Sequence, residues 1–233
     1  LYLYIPVIFL IIGILFYIFI FRNSDNSLGP FKSLIQYAIA AEIIILALAA
    51  GLAYGIGNDT VAHMDQTVNG WIMPMRNAFM TGFMHGVSFF ASSAFLPFAV
   101  ALCFCLLVFR GKRLKAGFIL LINILGANFI KIFIKNIFKR ARPEYAIIIE
   151  KEYSFPSGHS FIGFTFYAML AYMVFKYYNG PYKRLMTGFF IIFPIIIAFS
   201  RLYLGVHYAS DVFAGLLLGT SWLIACIIMD NWK

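Results

Sequence analysis

The chain has 233 residues, a formal net charge of +9, 63% hydrophobic residues and only 12% charged ones. Soluble domains carry roughly a quarter of their residues as Asp, Glu, Lys and Arg, so the deficit excludes an ordinary soluble domain and points to a bilayer as solvent. The positive balance gives no support to a nucleic-acid partner, because the basic residues sit in short loops between apolar runs, where topology and contacts with anionic lipid or phosphate account for them.

Apolar runs fall at residues 1–21, 34–56, 87–109, 116–134, 160–178, 185–200 and 209–229. Each comes near the ~20 residues that a bilayer-crossing helix needs, the sixth being short. None alternates with the two-residue period of a barrel strand, and lipid cannot satisfy an open backbone, so the runs are expected to be helices. Residues 1–21 lack a basic leading region and a small-residue cleavage site, and read as a membrane helix rather than a signal peptide. With no repeat or low-complexity linker, the expected division is an added helix and turn at 1–33 and one helical domain at 34–233. Pro194 predicts a kink within 185–200. Cys103, Cys105 and Cys226 lie inside apolar runs without paired spacing, which favours packing over a disulfide or a metal site. Glu42 lies well inside the run 34–56; an ionisable residue there can mark a transport pathway, but a buried hydrogen bond within the bundle is the preferred reading.

The basic loops set an orientation. Arg110, Lys112, Arg113 and Lys115 share one loop, Lys176, Lys183 and Arg184 another, while Arg22 and Lys32 flank the turn 22–33 and Lys233 ends the chain. Seven alternating spans put these groups on one side, cytoplasmic by the positive-inside rule. The opposite side receives the start of the chain and residues 57–86, 135–159 and 201–208. Residues 57–86 mix Met and Phe with polar residues around Pro74 and read as a segment at the outer interface, a covering loop with no catalytic part being the preferred interpretation. The outward segment breaks the charge rule, since Lys131, Lys135, Lys139, Arg140, Arg142 and Lys151 are all basic. Either these side chains snorkel to headgroups or they serve an anionic ligand.

Three outward clusters carry candidate chemistry. In KNIFKRARP, Lys135 and Arg142 are seven apart, on one face if the helix reaches that far, although Pro143 disfavours helix at Arg142. Arg offers a planar fork and Lys a point charge, together suited to a phosphoryl group. In FPSGHS, Ser157 and Gly158 stand where the first amides of a helix lack partners and can hold an anion, and His159 can donate a proton near neutral pH. In SRLYLGVHYASD, His207 and Asp211 are four apart, so the carboxylate can fix the imidazole tautomer and leave the other nitrogen as base or nucleophile, with Arg201 adding a cation. Each cluster alone fits a structural role: a helix cap, an interfacial histidine, a helix hydrogen bond. Together the three cations, two histidines and one aspartate on one side suit phosphoryl transfer.

Lys135-x6-Arg142-Pro143, Pro156-Ser157-Gly158-His159 and Ser200-Arg201-x5-His207-x3-Asp211 together resemble the three signature motifs of the type 2 phosphatidic acid phosphatase superfamily, matched in order over residues 135–211. The resemblance implies an all-α fold, a polytopic membrane helix bundle with a six-helix phosphatase core over about 34–231 and residues 1–21 as an additional N-terminal transmembrane helix. It implies a metal-independent hydrolase without cofactor, in which His207 attacks phosphorus to form a phosphohistidine and Asp211 orients it. His159 protonates the leaving oxygen and then activates water, while Lys135, Arg142, Arg201, Ser157 and the Gly158 N–H hold the phosphoryl oxygens. The residues alone leave open which histidine attacks and which protonates. The expected substrate is a lipid phosphate (a polyprenyl diphosphate, phosphatidylglycerol phosphate or phosphatidic acid) taken at the extracytoplasmic face of the plasma membrane. The rivals are a phosphotransferase on the same site and a non-catalytic lipid or anion transporter.

Overall fold

The computed structural model describes residues 29–56 and 58–231. The expected helix at 1–21, most of the turn after it and Lys233 lie outside the described residues. Among those described the chain is all-α, with no strand. Eight helices follow one another: α1 Gly29–Gly55, α2 Asp59–Ile72, α3 Ala78–Phe89, α4 Leu96–Cys105, α5 Leu114–Phe138, α6 Phe164–Tyr177, α7 Lys183–Tyr203 and α8 Ala209–Asn231. A π-helical stretch, Leu106–Arg110, extends α4, and another, His159–Gly163, leads into α6.

Helices α5, α7 and α8 are each long and apolar enough to cross a membrane, and α1 and α2 form a bent pair turning 96° at the break between them. Phe118, Leu125, Phe129 and Phe133 on α5 and Leu185, Phe189, Ile192 and Ile195 on α7 stand exposed, as befits helices solvated by lipid tails. The run expected at 87–109 is not one helix. It breaks between Phe89 and Leu96, where Ser92 Oγ accepts the Phe95 N–H at 3.2 Å and the Ser92 carbonyl accepts the Leu96 N–H at 3.0 Å. Pro97, lacking an N–H, then sits in the first turn of α4, the place where a helix tolerates it. Pro194 lies inside α7, which runs through it and extends beyond the expected 185–200.

The described part of the segment 57–86 forms two helices, Asp59–Ile72 and Ala78–Phe89, rather than a loop. Asn77 caps α3 by accepting the Met80 N–H at 2.9 Å. Trp71, Phe79 and Phe83 face outward, whereas Asp65, Asn69, Ile72 and Met84 are buried. One apolar core, containing Leu120, Phe161, Phe166, Met169 and Ile197, fills the centre of the bundle. A second, containing Ile72, Met84, Tyr203, Leu204 and Val206, packs α2 and α3 over the end of α7. Glu42 takes the hydrogen bond within the bundle that the sequence favours, accepting from Ser221 Oγ on α8.

Helix α8 approaches the His159 turn through glycine. A Cβ at Gly215 would stand 2.8 Å from the Ser157 carbonyl oxygen and 3.0 Å from Ser160 Cβ, and one at Gly219 would stand 3.0 Å from Phe164 Cδ1. Gly215→Ala is expected to destabilise the folded protein by about 1–3 kcal/mol through overpacking, read as a lower unfolding midpoint in detergent. Gly188→Ala, whose Cβ meets open space within α7, should leave the midpoint unchanged or raise it.

Candidate active site

Helix α5 ends where the first cluster begins. Lys139 adopts a left-handed conformation at φ 45° and its N–H closes on the Lys135 carbonyl at 3.0 Å, a common way for a helix to stop. The helix therefore ends at Phe138, short of Arg142 as Pro143 leads one to expect, and Lys135 and Arg142 do not share a helical face. They are joined instead through the following loop: Lys135 Nζ lies 3.5 Å from Glu152 Oε2, and Arg142 Nε donates to the Glu152 carbonyl at 2.7 Å. Lys135 also donates to the Tyr153 carbonyl. Lys131, one helical turn earlier, reaches the same Glu152 carboxylate at 3.6 Å.

The turn between α7 and α8 presents the third cluster. Gly205 has φ +70°, and a Cβ there would meet Arg76 Nη2 at 2.3 Å and the Tyr145 carbonyl at 2.9 Å, so this turn needs glycine. The turn is held from outside: Arg76 donates to the Tyr203 carbonyl at 2.9 Å, Ile147 N–H to the Leu204 carbonyl at 2.9 Å and Arg142 Nη1 to the Val206 carbonyl at 2.7 Å. His207 follows and Tyr208 caps α8. Asp211, three residues later, accepts the Tyr208 N–H on Oδ2 at 3.0 Å, the returning half of a capping box.

Asp211 Oδ2 lies 3.5 Å from His207 Nδ1 and also accepts from Ser154 Oγ, which itself stands 3.3 Å from that Nδ1. The other ring nitrogen, Nε2, is 3.3 Å from Arg142 Nη1. A guanidinium can only donate, so Nε2 is the acceptor and the Nδ1 position carries the proton toward Asp211 and Ser154. Burial pushes the His207 imidazole down to about 4, against the upward pull of Asp211 and with help from Arg201 and Arg142. The ring is therefore neutral at physiological pH with its Nε2 lone pair among cations.

Arg201 is buried at the end of α7 and donates to Ser88 Oγ and to Glu150 Oε1. Glu150 Oε2 lies 3.6 Å from Arg142 Nη2. Burial alone would raise the Glu150 carboxyl, but the Arg201 and Arg142 guanidinium groups hold it below the usual carboxylate range. The second cluster closes the ring. Phe155-Pro156 is cis, the Ser157 N–H donates to the Asp211 carbonyl at 3.0 Å, and Ser157 Oγ accepts from Ser160 Oγ at 2.9 Å. Ser157's own amide is thus taken, which leaves Gly158 and His159 first in line at the helix start. Burial and the nearby charges of Arg201, Arg142 and Lys131 push half-buried His159 below the ordinary imidazole value. The structure so gathers Lys135, Arg142, Ser157, Gly158, His159, Arg201, His207 and Asp211 at one end of the bundle.

Four neighbours were not singled out from sequence as site residues. Ser154, Glu150 and Arg140 touch members of this group, Arg140 bonding directly to Asp211 at 2.6 Å, and Asp65 reaches it only through Arg140 and Ser210. Residues 57–86, expected to play no part, supply Asp65, which Arg140 binds at 2.7 Å. Among the described residues no group of three or more His, Cys, Asp or Glu side chains could hold a metal ion.

The arrangement has relatives. Phosphatidylglycerophosphatase B of Bacillus subtilis is 27% identical over 172 residues, covering 72% of this chain and 84% of that protein. An undecaprenyl-diphosphatase of Sulfolobus acidocaldarius is 33% identical over 125 residues, covering 51% of this chain and 56% of that protein. The crystal structure of a transmembrane PAP2-type phosphatidylglycerolphosphate phosphatase from Bacillus subtilis shares the fold with a TM-score of 0.75 at 24% identity, covering 83% of this chain and 96% of the other. Aquifex aeolicus LpxE follows with a TM-score of 0.52 at 22% identity, covering 72% and 94%. The PAP2 superfamily profile matches residues 116–233, the half of the chain that holds all eight of these residues, and the chain belongs to the PAP2 superfamily.

Proposed function

We propose that this multi-pass membrane protein is a lipid phosphatase that works through a phosphohistidine on His207. The observation that carries the reading is a neutral His207 whose Nε2 faces Arg142 while its Nδ1 side is held by Asp211 and Ser154. Nε2 attacks phosphorus in line, the bond to the leaving oxygen breaks, and His159 gives that oxygen its proton. His159 then takes a proton from water, whose oxygen displaces His207 from phosphorus and releases phosphate. Lys135, Arg142 and Arg201, with Ser157 and the Gly158 amide, hold the phosphoryl oxygens, so the charge that develops is met by fixed cations and dipoles. This cation set supplies the charge stabilisation that a metal provides elsewhere, and turnover is metal-independent.

Phosphoryl oxygens that bind Arg201 and Arg142 take the place of Glu150. The catalytic end lies opposite the basic loops at 110–115 and 176–184, which supports a site at the extracytoplasmic face of a plasma membrane. The names of the relatives support a lipid phosphate substrate, with phosphatidylglycerol phosphate and a polyprenyl diphosphate as leading candidates and phosphatidic acid as a third. Purified protein in mixed micelles should release inorganic phosphate from at least one of these three, at an undiminished rate in EDTA. Loss of activity in EDTA would end the metal-independent reading, and phosphate appearing on an acceptor instead of free would make the protein a phosphotransferase.

A further inference from the structure

Arg140 belongs to the basic run after α5 but takes none of the phosphate-holding roles. Its Nη1 donates to Asp211 Oδ1 at 2.6 Å and to Ser210 Oγ at 2.7 Å, and its Nη2 donates to Asp65 Oδ2 at 2.7 Å. Asp65, on α2, accepts the Ser210 N–H on Oδ1 at 2.8 Å and Ser210 Oγ on Oδ2 at 2.8 Å. The guanidinium carbon lies 4.1 Å from the centre of the Tyr208 ring. Asp65, Ser210 and Asp211 are each no more than 1% exposed. A largely buried array of ion pairs joining two distant segments to Asp211 asks for an explanation beyond packing.

We infer that Asp65 and Arg140 are positioning residues for the His207–Asp211 pair, holding the Asp211 carboxylate in place and keeping its charge available to His207. The inference rests on the reading of His207 as nucleophile. Arg140 fixes Oδ1, while the Tyr208 N–H and Ser154 fix Oδ2, so the carboxylate cannot rotate away from Nδ1. The charge count matters as much. Arg140 alone would cancel Asp211 and leave a neutral pair behind the histidine. Asp65 adds a second carboxylate to the same guanidinium, and the three groups together keep one negative charge. When Nε2 bonds to phosphorus the ring becomes cationic, and a net negative charge behind Nδ1 offsets that cation in a site sheltered from water. A purely architectural alternative exists, because Asp65 also satisfies the Ser210 N–H, one of the donors a helix start leaves open. That role predicts lost stability without a selective loss of turnover.

The test separates the two. Asp65→Asn keeps the shape and removes the charge. With a lipid phosphate that the parent protein hydrolyses, kcat should fall about tenfold to a hundredfold, by analogy with the loss of a carboxylate that orients a metal-ligating histidine. KM and the inhibition constant of inorganic phosphate should stay within about twofold, since the phosphate-holding cations are untouched. Arg140→Gln should also lower kcat, here because Asp211 Oδ1 loses its anchor while the charge behind His207 does not fall, Arg140→Lys should recover part of that loss, and Asp65→Asn in the Arg140→Gln background should add little, the mark of two residues acting through one link. Unchanged kcat in Asp65→Asn beside an inactive His207→Ala overturns this inference alone, whereas an active His207→Ala overturns the reading beneath it. A fall in kcat matched by an equal rise in the phosphate inhibition constant, or failure of all the variants to fold, assigns the pair to architecture and also overturns the inference.

Discussion

His207→Gln should lower phosphate release by about four orders of magnitude or more, the loss seen when a covalent nucleophile or its partner base is removed. Glutamine keeps polar contact with Arg142 and Ser154 but offers no nitrogen lone pair, so inorganic phosphate should still bind as an inhibitor while turnover disappears. Brief incubation of the parent protein with labelled lipid phosphate, quenched in alkali, should retain label on protein, because a phosphorus–nitrogen bond survives base and breaks in acid. The variant should retain none. Substantial turnover in His207→Gln would remove the phosphohistidine from the mechanism. The same ring has a signature in stability. Its value is about 4 when folded, against 6.5 for a free histidine, so between those limits the unfolded chain binds the extra proton. The contribution is fully present above pH 6.5 and is lost as pH falls toward 4. The unfolding midpoint in detergent should drop through that window, and less steeply in His207→Gln.

The second large effect belongs to His159. At the first turn of the helix leading into α6, it sits within the field of Arg201 and Arg142, which a bound phosphoryl dianion would offset, and in the proposed mechanism it serves the leaving oxygen rather than phosphorus. His159→Asn should slow hydrolysis of a lipid alkyl phosphate by about a hundredfold to ten-thousandfold, the usual range for general acid–base catalysis. An aryl ester such as p-nitrophenyl phosphate expels an anion stable without a proton. With that ester the first step should survive in the variant while attack by water, which also depends on His159, stays slow. The expected record is a burst of about one nitrophenol per protein molecule and accumulation of labelled protein. Equal impairment with both esters and no burst would take the acid role from His159.

Much of this site could be read from the sequence because each motif carries its chemistry locally: a histidine with a carboxylate four residues on, a serine and glycine at a helix start, a lysine and arginine spaced around a helix end. What stayed hidden was supplied through space. Arg140 was one cation among six in its run, and nothing local distinguishes it from Lys139, its neighbour, which is exposed. Asp65 lies 75 positions from the arginine that it binds. Its one sequence signal is that Asp65 and Asn69 are a helical turn apart and opposed to Trp71, so that the polar side of α2 faces inward in a segment whose apolar side faces outward. Read as an interfacial helix, the segment suggests the reverse. The break in the run 87–109 was more legible, since Ser92, Ser93 and Pro97 together favour a turn and a new helix start.

Glu150 and Glu152 change what recognition means at this membrane face. Between them the two carboxylates already contact Lys131, Lys135, Arg142 and Arg201. An anion arriving at Arg142 and Arg201 therefore trades places with a resident one, and its affinity reflects the difference between two anions instead of the full attraction of the cations. A doubly charged phosphoryl group wins such an exchange and a singly charged headgroup gains little, so charge becomes a selectivity filter. The exchange also runs backward: once the lipid has left, the tethered carboxylate competes with inorganic phosphate at every moment, and a site with this many cations is spared from holding its own product.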